Sequence, residues 1–153
     1  MRRTDREVTD FHEIADILRR CDTIRLGMNG DPYPYVVPLS FGFEAADGKI
    51  SVYFHGAKEG HKHDLIDRDN RVCVEASICH RFVTVPGSAT VEYESFIGFG
   101  RAVVVDGEEA VKGLDLMLEH CGFEGLAYDR ALLAKTAVYK IELASFTGKR
   151  RMV

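Results

Sequence analysis

Short runs of alternating apolar and polar residues, separated by tight-turn signals, predict a mainly β domain of the α+β class. Six antiparallel strands form a small barrel with peripheral helices. Three observations carry this. Period-two alternation recurs in Thr23–Met28, Ile50–His55 and Thr136–Leu143. The turns Asn29-Gly30-Asp31-Pro32, Asp47-Gly48 and Pro86-Gly87 punctuate the β-rich runs. Helical patterning is too sparse and too irregularly spaced for a doubly wound parallel sheet.

Residues 1–10 are polar, without periodicity, and read as an N-terminal arm. Asp10 followed by Glu13 resembles a capping box. Phe11, Ile14, Ala15, Leu18 and Cys21 then fall at helical spacing, predicting an amphipathic helix over 11–21 that covers one opening of the barrel. The strand Thr23–Met28, the apolar run Pro34–Phe43 and the strand Ile50–His55 read as a three-stranded meander. Pro38 cannot donate a ladder hydrogen bond, so its strand belongs at an edge or at a bulge. A short helix around Leu65 and Ile66 precedes a fourth strand, Arg71–Ser77, and a less regular stretch to Gly87. Ala89–Val105 is a long β run whose Gly98 and Gly100 point to a bend, a bulge or a flat ligand. Helices are expected over 108–121 and about 129–134, then the last strand, Thr136–Leu143, and a C-terminal tail over 147–153.

The 153 residues suit a single domain, 1–153, with a real core; 46% are hydrophobic and 29% charged. A net charge of −4 argues against general nucleic-acid binding, which needs a basic surface. No apolar run approaches the ~20 residues that span a bilayer. The four cysteines, Cys21, Cys73, Cys79 and Cys121, form no CxxC and read as reduced thiols, with Cys21, Cys73 and Cys121 in the core. A cytoplasmic protein without a membrane partner is expected.

The stretch Tyr53–Ile66 concentrates the candidate chemistry. A strand runs into Gly56, Ala57 and Gly60, interleaved with Lys58, His61 and Lys62, and then into a helix. Small residues allow close approach to the backbone, and helix-start N–H groups with nearby lysines bind anions. The reading is a phosphate site with His55 at its mouth; the same residues also suit an ordinary turn into a solvated helix. The histidines and Cys79 lack metal-ligand spacing, since His61 and His63 do not share a helix face and no HExxH is present. No GxSxG elbow singles out a nucleophile. A phosphate grip beside a barrel rich in small and aromatic residues suits flavin mononucleotide (FMN).

Five segments in order, MRRTDREV, PYVVPLSFGF, YFHGAKEGHKHDLI, YESFIGFGRA and FTGKR, are similar to the pyridoxamine 5′-phosphate oxidase-related flavoproteins of the nitroimidazole-resistance (Nim) branch. The resemblance implies an FMN-binding split β-barrel and a homodimer with cofactor at its interface. By position, Val37, Pro38 and Leu39 would lie along the flavin ring, with Phe54, His55 and Ala57 flanking ring and ribityl chain. Lys58, Gly60, His61 and Lys62 would surround the phosphate. Ser95, Ile97 and Gly98 would reach the flavin across the dimer, and Lys149 is a further candidate. The activity implied is reduction of nitroaromatic or similar small acceptors, with His55 as the catalytic candidate. The alternative is a non-catalytic flavin- or haem-binding carrier or sensor. This chain has no Trp, so the C-terminal Trp-and-Arg substrate signature of the vitamin B6 oxidases is missing, which argues against that reaction. Their Arg-Lys phosphate pair is also replaced, by Gly60-His61.

Overall fold

The computed structural model describes residues 2–123, 125–127, 131 and 135–153. A 3-10 turn, Thr4–Arg6, leads into β1 (Glu7–Val8) and α1 (Phe11–Arg19). Then come β2 (Ile24–Met28), β3 (Tyr35–Leu39), β4 (Gly42–Ala46), β5 (Lys49–Ala57) and α2 (His61–Arg68). The chain continues through β6 (Arg71–Val85), β7 (Ser88–Val105), α3 (Gly107–His120) and β8 (Thr136–Arg151). The helix expected over 129–134 lies, apart from residue 131, outside the described residues.

All pairing is antiparallel, in the order β3-β2-β6-β7-β8-β5-β4, with β1 added on β8. The two ends of this order do not pair, so the barrel is split. The fold class is therefore the expected one, but the strand count and connectivity differ. Eight strands replace six because Pro34–Phe43 is divided between β3 and β4, and because the arm contributes β1. The expected meander does not form: β3 pairs with β2 at one edge, while β4 pairs with β5 at the other. Ser40, exposed, and Phe41, fully buried, lie between β3 and β4, so two residues carry the chain from one edge to the other. Local alternation cannot reveal this, because both halves of the run are equally apolar. Pro38 does sit on the edge strand.

Turn chemistry sets the hairpins. Asp47 (φ 52°) and Gly48 (φ 75°) both adopt positive φ in the two-residue β4–β5 turn, the form whose twist matches antiparallel strands. Pro86-Gly87 closes a β6–β7 hairpin much longer than alternation showed. A bulge between Cys79 and Arg81 absorbs the irregular stretch, and pairing continues to Val85–Ser88. β8 likewise runs through the expected tail to Arg151.

The core lies inside the barrel, with Ile24, Leu26, Ile50, Val52, Phe54, Phe96, Tyr139 and Ile141 inaccessible. α1 is capped by Asp10, whose carboxylate accepts from the Glu13 backbone N–H at 3.0 Å. It buries Ile14, Ala15, Ile17 and Leu18 across the barrel end, as its pattern predicts. Glu94, 2% exposed, ties that end together. Its carboxylate accepts from Arg20 (2.5 and 3.1 Å) and Arg150 (2.6 Å), and lies 3.0 Å from His80 Nε2. One side chain thus joins the C-terminal end of α1 to β6, β7 and β8. α3 covers the other side of β5, so Tyr53, outward by alternation, is fully buried; its hydroxyl donates to either Glu44 (3.0 Å) or Glu109 (2.6 Å).

Candidate functional site

The end of β5 and the start of α2 form the site's first half. Phe54 points inward and stacks on Tyr139, ring centres 4.7 Å apart. The next residue, His55, faces out and is exposed. Gly56 follows without a side chain, and the Lys62 ammonium occupies the space: a Cβ at 56 would stand 2.8 Å from Nζ. Lys62 therefore folds back from α2 onto β5. Its Nζ donates to the His55 carbonyl at 3.4 Å and lies 5.2 Å from the centre of the Phe54 ring. Burial lowers the pKa of Lys62. The pKa of His55 is lowered by the packing around it and secondarily by the Lys62 charge, which favours a neutral imidazole.

Gly60, at φ 116°, precedes α2 with no side-chain cap, leaving first-turn N–H groups open. Ala57, Lys58, Gly60 and His61 are exposed around this start. The His61 ring meets Tyr35 edge-on at 4.8 Å, which ties α2 to the edge strand β3. Lys58 lines a separate cleft of about 780 Å³ with His63, Val105 and Ala110 at the start of α3. His63 Nδ1 is 2.8 Å from the Tyr139 hydroxyl, behind the Phe54 ring.

On β3 the three expected ring contacts divide. Pro38 faces outward, whereas Val37 and Leu39 pack against the core. Pro38, Arg25, Glu75 and Ile97 stand in register across four strands, as do Val36, Gly27, Cys73 and Phe99 beside them. This outer face exposes Val36 (60%), Phe99 (53%) and Ile97 (38%), and Gly27 leaves it low. Cys73 lies here, half-buried on the outer face, and Cys121 is exposed; both were expected in the core. The thiol of Cys73 is flanked outside by Gly27 and Phe99, and Cys121 falls just past the end of α3, beyond its apolar face. Phe99 is a contribution that sequence reasoning passed over, and Gly56, expected to admit a ligand, instead makes room for Lys62. Alternation from Ile97 could have found Phe99; no local signal pairs Gly56 with Lys62.

The second half comes from β7 and β8. Ser95 and Lys149 are direct partners, and Ile97 faces out between Ser95 and Phe99. Gly98 faces inward, where a Cβ would stand 2.8 Å from Leu143, so only its backbone can contact a ligand. A bulge follows at Phe99/Gly100, one of the three readings open for the paired glycines. His55 and Ser95, one from each half, are far apart along β8. His55 pairs with Val138 and Ser95 with Lys149, so they stand 11 residues apart along β8, roughly 36 Å of strand.

Among the described residues, no group of three or more His, Cys, Asp or Glu side chains converges to hold a metal, and no helix is long and apolar enough to cross a membrane.

Comparison with known proteins agrees with this architecture. A crystal structure of a candidate 5-nitroimidazole antibiotic resistance protein from Bacteroides thetaiotaomicron superposes with a TM-score of 0.83 at 28% identity, over 94% of this chain and 86% of that one. The flavocytochrome Anf3 from Azotobacter vinelandii shares the fold at TM-score 0.82 and 19% identity, over 100% of this chain and 72% of its own. An FAD- and haem-binding protein from Mycobacterium smegmatis does so at 0.77 and 17%, over 97% and 74%. A search of curated proteins gives no match. The family model for pyridoxamine 5′-phosphate oxidase matches residues 10–150, and the chain belongs to that family.

Proposed function

We propose that the protein is an FMN-dependent oxidoreductase that passes electrons to nitroaromatic or similar small acceptors, as a cytoplasmic homodimer with flavin held between the copies. The observation that carries this reading is the end of β5. There a half-buried ammonium, Lys62, an uncapped helix start at Gly60 and an exposed imidazole, His55, meet within one turn of chain. Phosphate fits the first two, through charge-assisted hydrogen bonds and open N–H groups. A flat ring fits the low outer face over Gly27, beside Pro38, Val36 and Phe99.

Bound flavin would supply the redox chemistry itself. Lys62, Gly60 and His61 hold the phosphate, with Lys58 adding charge at the rim. Pro38 and the backbone of Val37 and Leu39 orient the ring; Ala57 flanks the ribityl chain, and Phe54 acts from behind by supporting Lys62. Ser95, Ile97, Lys149 and the Gly98 backbone form the opposing wall. The roughly 36 Å of β8 between His55 and Ser95 supports a second copy as the source of that wall. His55, kept neutral, anchors the acceptor by donating a hydrogen bond to it.

Anaerobic titration of the purified protein with reduced nicotinamide cofactor, followed in the visible spectrum, tests the reading: flavin bands should bleach and return on addition of a nitroimidazole. A non-catalytic carrier or sensor would show flavin bands that do not respond. Haem, the second reading, is favoured by the likeness to a flavocytochrome and to a haem-binding protein, and would show a Soret band. In His55→Ala, FMN should be retained while reoxidation by the nitroaromatic slows by about 10-fold, as for loss of one hydrogen bond to the acceptor. Unchanged reoxidation would remove His55 from the mechanism.

A further inference from the structure

The outer face of β7 and β8 near the chain termini carries a cationic cluster that the flavin reading leaves largely unused. Tyr93 and Arg151 are direct partners, and Ser95 and Lys149 form the next outward pair. Arg6 approaches from the turn before β1, whose Glu7 pairs with Lys149. Lys149 Nζ lies 5.7 Å from the centre of the Tyr93 ring, and Arg6 adds a second positive charge beside it. Burial by itself would raise the Tyr93 pKa, yet these two cations lower it overall, the mark of a positive local field.

The surrounding carboxylates are mostly engaged elsewhere. Arg3 holds Asp5 through two hydrogen bonds, leaving Arg6 a 3.8 Å contact with it. Glu92 is held by Arg81 and the Val153 N–H, and Glu94 by Arg20 and Arg150. Glu7, the register partner of Lys149 across β1, is exposed. Arg151 adds an independent sign: among the described residues, its Nε is the buried side-chain polar atom with no hydrogen-bond partner. A buried donor left unmade costs on the order of 1–3 kcal/mol, which an arriving acceptor would recover.

We propose that Arg6, Tyr93, Lys149 and Arg151 form an oxyanion-binding site that takes the carboxylate or phosphate tail of a small anionic substrate. Tyr93, Ser95 and Ile97 follow one another on the outer face at about 7 Å spacing. A tail held at Tyr93 therefore directs the rest of the molecule toward Ile97. Only that direction rests on the flavin reading; the anion site stands on its own residues. The substrate class it implies is a compact aromatic or nitroaromatic acid.

The test is titration of the purified full chain with inorganic phosphate and, separately, benzoate, followed by the backbone amide resonances of Tyr93, Ser95, Lys149 and Arg151. Saturable shifts confined to this patch are expected, with affinity at least tenfold weaker in Arg6→Gln and in Arg151→Gln. Amide spectra outside the patch report that each variant is folded, and having two variants keeps the test valid if one does not fold. FMN affinity should change less than twofold in both. Phosphate binding unaltered in the folded variants overturns the site. A parallel loss of FMN affinity also overturns it, by assigning the cluster to the flavin's own phosphate. Phosphate binding here in a protein that takes up no FMN would sink the flavin reading and leave this site intact.

Discussion

Replacing Glu94 by alanine is expected to destabilise the fold by on the order of 3–5 kcal/mol, lowering Tm by roughly 10 °C in thermal unfolding. The cost comes from what is left behind. Glu94 is buried, and its carboxylate is shared by Arg20 and Arg150, with His80 on one oxygen. Removing it leaves two partly buried guanidiniums with only their exposed partners, Asp16 for Arg20 and Glu13 for Arg150, and releases the C-terminal end of α1 from β8. The effect carries a pH signature. The Arg20 hydrogen bond, reinforced by Arg150 and His80 and opposed by burial, holds the Glu94 carboxyl at about 2. Its folded pKa lies below its unfolded value of about 4.3, so its stabilising contribution is complete above that value. It is lost as pH falls from about 4.3 toward 2. The stability difference between parent and Glu94→Gln should shrink across that same window. A difference independent of pH from 5 to about 2 would show that the carboxylate charge is not what binds the cluster.

The second large effect is on cofactor affinity. In Gly56→Val the new side chain must occupy the space of the Lys62 ammonium, which a Cβ would approach to 2.8 Å. The displaced group is the tip of a flexible side chain, so it swings out at little cost to stability, within about 1 kcal/mol. It loses its contacts with the His55 carbonyl and the Phe54 ring. If Lys62 grips the flavin phosphate, FMN affinity falls by about 10–100-fold, the worth of one charge-assisted hydrogen bond. Lys62→Ala should do the same, and the double variant should be no worse than either single one, because both changes remove one interaction. FMN affinity preserved in Gly56→Val would instead assign the phosphate to Lys58 or to the α2 N–H groups. Lys62→Ala should also raise the His55 pKa toward the ordinary imidazole value, since the ammonium is the lesser of the two causes holding it down. Histidine proton resonances followed against pH would read this directly.

Much of this molecule was legible in its residue order, and the legible parts share a cause. Alternation in β2, β5 and β8, the Asp47-Gly48 and Pro86-Gly87 turns, the Asp10 cap and the apolar stripe of α1 all follow from contacts within a few residues. So does the exposure of His55 beside a glycine-rich helix start. Pro38 marked an edge because a missing N–H is a local property. Tertiary structure alone decided the rest. Splitting Pro34–Phe43 between opposite edges depends on which distant strands accept its halves: β2 takes one and β5 the other. The retreat of Val37 and Leu39 into the core while Pro38 faces out, and the fit of Lys62 into the space over Gly56, depend on side chains far apart in sequence or on which face of a strand is covered. The separation of His55 from Ser95 along β8 is likewise a matter of register, since hydrogen bonds between strands, not residue order, set how far His55 stands from Lys149.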